Sequence, residues 1–186
     1  MSGAPDPGVT VYVRACDGSR ESRAAVLRAV LAEALGAPEH TIAWRADANG
    51  RPVLDSHAAS GLRFSFSERA GRALVATRRG ADVGVDVEAH RTGFDHAALV
   101  HDHFDAAERA AFAADPDADR DAAFLRAWTR HEARAKACGA GLTRELGASE
   151  TARFTVRALP LDAPWYGAVA SEGADWTIRM RPERRS

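Results

Sequence analysis

The chain has 186 residues, of which 46% are hydrophobic and 27% charged, and this length is enough for one large core or two small fused ones. Its net charge of −1 provides no global field that would recruit nucleic acid or an anionic membrane, so neither is expected as a partner. A cytoplasmic location is expected, since there is no signal-peptide pattern, no bilayer-spanning apolar run and no cysteine framework.

The N-terminal half is predicted to combine one helix with several strands. Residues 9–13 alternate β-branched and polar side chains, which predicts a strand. Residues 19–35 carry apolar side chains near helical spacing and end before a glycine, so a helix is predicted there. A short strand is expected over 41–44, and Asn49 with Gly50 forms a turn signal.

Further along, two alternating segments predict a β-hairpin, and the C-terminal half again mixes strands and helices. The hairpin strands cover 62–67 and 72–77, and they turn at Ala70 and Gly71. The later predictions are a strand over 82–88, a broken helix over 94–112, a long helix over 121–138 and strands over 152–159, 165–170 and 176–180. The pattern therefore indicates the α+β class.

Four charged residues share faces on a predicted strand and a predicted helix. Asp86 and Glu88 are two residues apart in a β-branched run, so both side chains face the same way. Glu132 and Lys136 are four apart in the long helix and share one helix face. Three carboxylates and a cation would suit Mg²⁺ bound to a polyphosphate, because this ion takes few protein carboxylates and completes its shell with water and phosphate oxygens.

These residues lie in two sequence blocks that together resemble a known family. GVDVE at residues 84–88 is followed, about forty residues later, by WTRHEARAK at residues 128–136 and then by Gly139-x-Gly141-Leu142. This pattern resembles the 4′-phosphopantetheinyl transferases, and the chain length resembles their single-chain, Sfp-type branch. The resemblance covers roughly residues 41–142.

The resemblance implies a fold and an assembly state. The expected fold is a pseudo-two-fold pair of similar α+β subdomains, with the active site in the cleft between them. We therefore expect an N-terminal subdomain over residues 1–81, which contacts the adenosine side of coenzyme A. A C-terminal subdomain over 82–186 would carry the magnesium motifs. The Sfp-type branch implies a monomer.

The resemblance also implies an enzymatic activity. Such a transferase moves the 4′-phosphopantetheine arm of coenzyme A, its substrate, to a serine of an apo acyl or peptidyl carrier protein. The reaction depends on Mg²⁺ and releases 3′,5′-adenosine diphosphate. Carriers of fatty acid, polyketide and non-ribosomal peptide biosynthesis all fit the pattern equally well.

Roles for individual residues follow from the same resemblance. The metal ligands would be Asp86, Glu88 and Glu132. Glu132 or Glu108 would accept the proton of the carrier serine, either directly or through water. Lys136 would stabilise the diphosphate or the departing oxygen.

Contacts to the coenzyme would come from both halves, with two departures from the family pattern. Arg51 and Ser67 would hold the adenosine-side phosphates. Glu68 stands where the family has a histidine and would repel phosphate, while the neighbouring Arg69 could restore the positive charge. His131 stands where the family has a lysine, and in its cationic form it would contact the diphosphate.

Other interpretations of these residues remain open at this stage. The two departures would also fit a catalytically weakened module that binds coenzyme A or a carrier protein. The same carboxylates could serve a Mg²⁺-dependent phosphohydrolase. Structurally, Glu132 and Lys136 could form a plain helix ion pair, and Glu108 could be a surface residue. Trp128 is predicted to be a packing anchor, and Arg134 is predicted to face solvent.

Overall fold

The structure is a computed structural model, and it describes residues 8–48, 50–93, 95–139 and 152–183. Three predicted features lie outside the described residues: the turn residue Asn49, the first residue of the broken helix, Phe94, and the motif residues Gly141 and Leu142. Within the described ranges, no helix has both the length and the hydropathy needed to cross a bilayer.

The first half follows the predicted order, and one predicted strand is displaced along the chain. Its elements are β1 (Val9–Ala15), α1 (Arg20–Leu35), β2 (Trp44–Ala46), β3 (Pro52–Leu54), β4 (Leu62–Arg69) and β5 (Arg72–Arg79). The strand predicted over 41–44 begins only at Trp44. The reason is that the amide and hydroxyl of Thr41 both bond to the carbonyl of Pro38 and close a 3-10 turn there.

The second half contains the predicted broken helix and the predicted long helix. Its elements are β6 (Val83–Ala89), α2 (His96–His103), α3 (Ala106–Ala114), α4 (Arg120–Cys138), β7 (Phe154–Ala158), β8 (Trp165–Glu172) and β9 (Ile178–Arg181). Aspartate side chains cap all three helices at their N-termini, at Asp95, Asp105 and Asp119. Each cap accepts a bond from a backbone amide that the helix itself leaves without a partner.

Apart from β9, the two sheets have the same strand arrangement. The first sheet has the order β4-β5-β1-β9, and the second, read in the same direction, has the order β7-β8-β6. β1 pairs antiparallel with β5, and β6 pairs antiparallel with β8. In each half a helix connects the first strand to a later hairpin, which confirms the prediction of two similar α+β subdomains. β9 crosses over and pairs in parallel with β1. The proposed division at residues 81 and 82 stays a prediction.

The main core lies between these two sheets. Valines of β6 pack with residues of β1, β5 and β8, including Val11, Leu74 and Val169. α1 covers the outer face of the first sheet through Leu27 and Leu31. α4 covers the second sheet, so the opposite face of β6 points at α4.

Candidate active site

Gly84 brings α4 against β6. A Cβ at this position would lie 2.1 Å from the carbonyl oxygen of Ala133 and 2.4 Å from the amide nitrogen of Ala137, so any side chain would push the helix away. Side chains alternate along a strand, and residues 84, 86 and 88 therefore all face α4. The close approach places Asp86 beside Glu132. Asp86 is only 4% exposed to solvent, and Glu132 is only 7% exposed.

One oxygen of Asp86 is held by two donors. Ser67 Oγ donates to Asp86 Oδ1 at 2.8 Å, and Lys136 Nζ donates to the same oxygen at 2.7 Å. Lys136 Nζ also lies 3.2 Å from Ser67 Oγ. The other oxygen, Asp86 Oδ2, is buried and has no hydrogen-bond partner in the described part of the chain.

The neighbouring acids hold their protons more tightly than usual. Burial raises the pKa of Glu132 to about 7, although Lys136 opposes this shift, and the charge of Asp86 raises it further. Burial also raises the pKa of Glu88, with Arg69 opposing and Asp86 adding to the shift. A carboxyl group with a pKa near neutrality can exchange a proton at physiological pH.

Two arginines flank Glu88 at the outer end of the cluster. Arg69 Nε lies 3.0 Å and Arg91 Nη2 lies 3.5 Å from Glu88 Oε2. The Arg69 contact is an ion pair without hydrogen-bond geometry, since Glu88 Oε2 is buried and has no hydrogen-bond partner among the described residues. Positive charge is therefore available here beside the carboxylates.

A cavity of about 350 Å³ opens beside Glu132 and Lys136. Its wall includes Arg51, Phe64 and Phe66 from the N-terminal half. Volumes of roughly 300–1,000 Å³ are typical of small-molecule sites. The cavity therefore joins an apolar lining to charged groups from both halves.

Arg51 is anchored where it lines this cavity. Its Nη1 donates to Asp82 Oδ1 at 3.2 Å, and its Nε lies 3.4 Å from Asp47 Oδ2. The guanidinium group also packs against Gly139 at the end of α4. A Cβ added to Gly139 would lie 3.5 Å from the Arg51 Cζ atom. Arg51 thus fixes the cavity wall against the C-terminal half.

A larger cavity, of about 710 Å³, lies between α3, α4 and the β7–β8 connection. Its lining includes Glu108, Arg130, Arg134 and Tyr166, but it does not include Asp86, Glu88, Glu132 or Lys136. We assign the chemistry to the smaller cavity because Glu132 and Lys136 line it, and Lys136 donates to the buried carboxylate of Asp86.

A second charged cluster lies on another side of α4. His131 Nδ1 lies 3.0 Å from Glu108 Oε2, and Arg134 Nη1 donates to Glu108 Oε1 at 3.1 Å. Glu108 Oε2 also accepts a bond from the amide of Asp105 in the capping box of α3. His131 packs on Phe104, with 5.4 Å between ring centroids. The structure thus brings His131 and Glu108 together, apart from Asp86.

Glu68 does not face the carboxylate cluster. Arg23 on α1 donates to Glu68 Oε2 from Nη2 at 2.8 Å and from Nε at 3.2 Å. Since Ser67 and Glu68 are adjacent on β4, their side chains point to opposite faces. The expected repulsion between Glu68 and a phosphate at Ser67 is therefore weakened by orientation and by the Arg23 pair.

The donor set of the cluster fits a hard cation such as Mg²⁺. Such ions prefer oxygen ligands, and the buried Asp86 Oδ2 has no hydrogen-bond partner within the described ranges. Glu132 points to the same conclusion. Its pKa is raised because the carboxyl group is buried and the positive charge nearby does not offset this burial. Among the described residues, no group of three or more His, Cys, Asp or Glu side chains has the arrangement of a ready metal site. The metal ligands therefore remain a proposal.

A family model for the 4′-phosphopantetheinyl transferase superfamily matches residues 82–180, which is more than half of the chain. The chain belongs to this superfamily. The 4′-phosphopantetheinyl transferase HetI of Nostoc sp. strain PCC 7120 is 32% identical over 120 residues, which cover 64% of this chain and 51% of HetI. The chain thus spans about half the length of this curated relative.

Membership in the transferase superfamily gives the described geometry a context. The structure brings together the predicted metal and lysine positions, Asp86, Glu88, Glu132 and Lys136, and joins Ser67 and Arg69 to them. Arg51 lines the adjoining cavity. Glu108 and His131 form their own pair instead. The functional roles of all these residues stay predictions.

Sequence reasoning missed several partners in this region of the chain. Arg91 pairs with Glu88, and its position three residues after the motif glutamate was the available signal. Arg134 was expected to face solvent, which is wrong: its side chain is 19% exposed and pairs with Glu108. Nothing in the sequence indicated Ser65, whose Oγ accepts a bond from the Val85 amide across the two halves. Trp128 packs on Phe104 and Phe124 as predicted but is only partly buried.

Proposed function

We propose that this chain transfers the 4′-phosphopantetheine arm of coenzyme A to a serine of an apo carrier protein. The reaction depends on Mg²⁺ and releases 3′,5′-adenosine diphosphate. The observation that carries the proposal is the buried junction of Asp86, Glu132 and Lys136 beside a cavity that both halves line. Superfamily membership supports the same reaction class.

Asp86, Glu88 and Glu132 would hold the metal ion. When bound, Mg²⁺ supplies positive charge that neutralises the diphosphate as its bond breaks. Lys136 donates to Asp86, and its flexible ammonium group could also reach a phosphate oxygen of the diphosphate. Lys136 thus adds a second positive charge where negative charge develops.

The proposed transfer requires a group that accepts the proton of the carrier serine. The carrier serine oxygen forms a bond to the phosphorus that bears the pantetheine arm. The bond from this phosphorus to the bridging oxygen breaks, and the electron pair leaves with 3′,5′-adenosine diphosphate. The serine proton goes to Glu132, either directly or through a water molecule. Glu108 is less suited, since both of its oxygens already accept hydrogen bonds.

Coenzyme A would lie across the smaller cavity. The N-terminal half contributes Arg51 to the cavity wall and Arg69 beside Glu88. The apolar side chains of Phe64 and Phe66 provide surface for the uncharged parts of the molecule. We further propose that the protein acts as a monomer in the cytoplasm, where its two cysteines would stay reduced.

An assay of the released nucleotide tests the reaction class. The protein is incubated with coenzyme A and Mg²⁺, with and without an apo carrier domain, and the products are separated by chromatography. Transfer predicts 3′,5′-adenosine diphosphate only when the carrier is present. Release of free phosphopantetheine without carrier would indicate a phosphohydrolase. Coenzyme A binding without any product would indicate a binding module.

A further inference from the structure

We propose that Ser67 is a positioning residue that fixes the metal-facing carboxylate of Asp86, and that it is not a ligand of coenzyme phosphate. This inference rests on the proposed function, because it concerns how the same site binds its metal. It differs from the role that the family resemblance gives to Ser67. Three groups contact the Ser67 hydroxyl: the carboxylate of Asp86, the backbone amide of Val87 and the ammonium group of Lys136.

The hydroxyl of Ser67 has no bonding capacity left. A serine hydroxyl has one proton to donate and two lone pairs that accept. Ser67 Oγ donates to Asp86 Oδ1 at 2.8 Å and accepts from the amide of Val87 at 3.3 Å and from Lys136 Nζ at 3.2 Å. The residue is 7% exposed. A phosphate could reach this hydroxyl only by displacing one of these bonds.

These bonds set the orientation of the Asp86 carboxylate. Val87 directly follows Asp86 on β6, so its amide ties the Ser67 hydroxyl to the same strand that carries the carboxylate. With Oδ1 held by Ser67, Oδ2 is the oxygen left without a hydrogen bond in the described structure. Lys136 alone would hold Oδ1 less rigidly, because its side chain is long and flexible. Groups that orient a metal ligand from behind commonly affect metal affinity about 10–100-fold.

Ser65 is a matched internal control. It lies two residues earlier on β4, is also 7% exposed, and its Oγ accepts from the amide of Val85 at 3.1 Å. Both serines therefore join β4 to β6 through a hydroxyl and a backbone amide. Only Ser67 also donates to Asp86. A comparison of the two alanine variants separates loss of the strand contact from loss of the carboxylate contact.

The experiment measures Mn²⁺ binding by electron paramagnetic resonance in four proteins: wild type, Ser67→Ala, Ser65→Ala and Asp86→Asn. Circular dichroism melting confirms that each protein is folded. We expect the Kd for Mn²⁺ to rise about tenfold in Ser67→Ala and less than about twofold in Ser65→Ala. Calorimetry in EDTA should give the same affinity for coenzyme A in wild type and Ser67→Ala.

Two results would overturn the inference. One is an equal change of Mn²⁺ affinity in both serine variants, which would make the role purely structural. The other is unchanged Mn²⁺ affinity with weaker coenzyme A binding in Ser67→Ala, which would make Ser67 a phosphate ligand. A result that contradicts the proposed metal site itself is distinguishable from these two. In that case Asp86→Asn would bind Mn²⁺ as tightly as wild type.

Discussion

α4 carries two charged clusters that differ in how completely their carboxylates are paired. On one side, Glu108 accepts bonds from His131, from Arg134 and from the backbone of its own helix cap. On the other side, Asp86 leaves one buried oxygen without a hydrogen bond in the described structure, and burial raises the pKa of Glu132 to about 7.

The difference teaches how to separate a structural cluster from a functional one. A carboxylate whose two oxygens both accept hydrogen bonds, as those of Glu108 do, has little remaining capacity for a cation. Buried acids without enough partners destabilise the empty fold, and such groups concentrate at functional sites. The Asp86 cluster is thus the place where a cation would bind, and the Glu108 cluster is the place where α3 attaches to α4.

The largest expected effect is the loss of transfer when Asp86 is neutralised. Asp86→Asn keeps the side-chain volume but removes the charge that would face the metal. We expect the transfer rate to fall about a thousandfold, or about 4 kcal/mol in the barrier. Steady-state kinetics of 3′,5′-adenosine diphosphate release measures this, with Glu108→Gln as the control from the second cluster. A loss of less than about tenfold, or about 1.4 kcal/mol, would contradict the metal assignment.

The next effect is a pH dependence of stability that originates in Glu132. Between the ordinary glutamate pKa of 4.5 and the folded value of about 7, the folded protein keeps a proton that the unfolded chain has released. The free energy of unfolding therefore falls as pH rises through this window, by about 3 kcal/mol, and levels off above it. Urea unfolding of wild type and Glu132→Gln at pH 5 and pH 8, without divalent cations, measures the difference. Identical pH dependence in the two proteins would show that Glu132 is not the source.

Gly84→Ala tests whether the approach of α4 to β6 builds the functional cluster. The added methyl group would meet the Ala133 carbonyl at 2.1 Å, so the helix must move. We expect a destabilisation of about 2–3 kcal/mol together with loss of transfer. Gly173→Ala is a suitable control: no atom lies within 4 Å of its added Cβ, and only its positive φ of 74° adds strain. Full activity in Gly84→Ala would show that the motif glycine does not position the carboxylates.

The smallest expected effect concerns His131, which belongs to the second cluster. Its Nδ1 pairs with Glu108, and its charge acts on Glu132 less than burial, Lys136 or Asp86 does, so we expect the pH profiles of transfer for wild type and His131→Lys to differ only slightly between about pH 6 and pH 9. Rate measurements across this range test the expectation. If the lysine variant alone retains activity at alkaline pH, His131 contacts the diphosphate, as the family resemblance implies.

The predictable part of the site is the part that local periodicity determines. The two-residue period of a strand puts Asp86 and Glu88 on one face, and the four-residue spacing puts Glu132 and Lys136 on one side of a helix. Once the motifs are placed on their elements, the cluster follows. The hairpin of β4 and β5 was predictable from the alternation along its two strands. Its turn lies at Ala70 and Gly71, as predicted, and both residues have positive φ.

The unpredicted contacts join elements that have no regular pairing. β4 and β6 belong to different sheets, and the hydroxyls of Ser65 and Ser67 connect them to the amides of Val85 and Val87. No periodicity encodes such a contact, because it depends on how the two halves pack. The same holds for the pairing of Arg134 with Glu108, which requires α3 to fold back along α4.

Intact-mass spectrometry of an apo carrier domain is the most direct test of the central claim, that the Asp86 cluster carries phosphopantetheinyl transfer. The carrier is incubated with coenzyme A, Mg²⁺ and either wild type, Asp86→Asn or Glu108→Gln. The account predicts that the carrier gains one phosphopantetheine with wild type and with Glu108→Gln, and none over the same time with Asp86→Asn. An unmodified carrier with wild type, or full modification with Asp86→Asn, would contradict it.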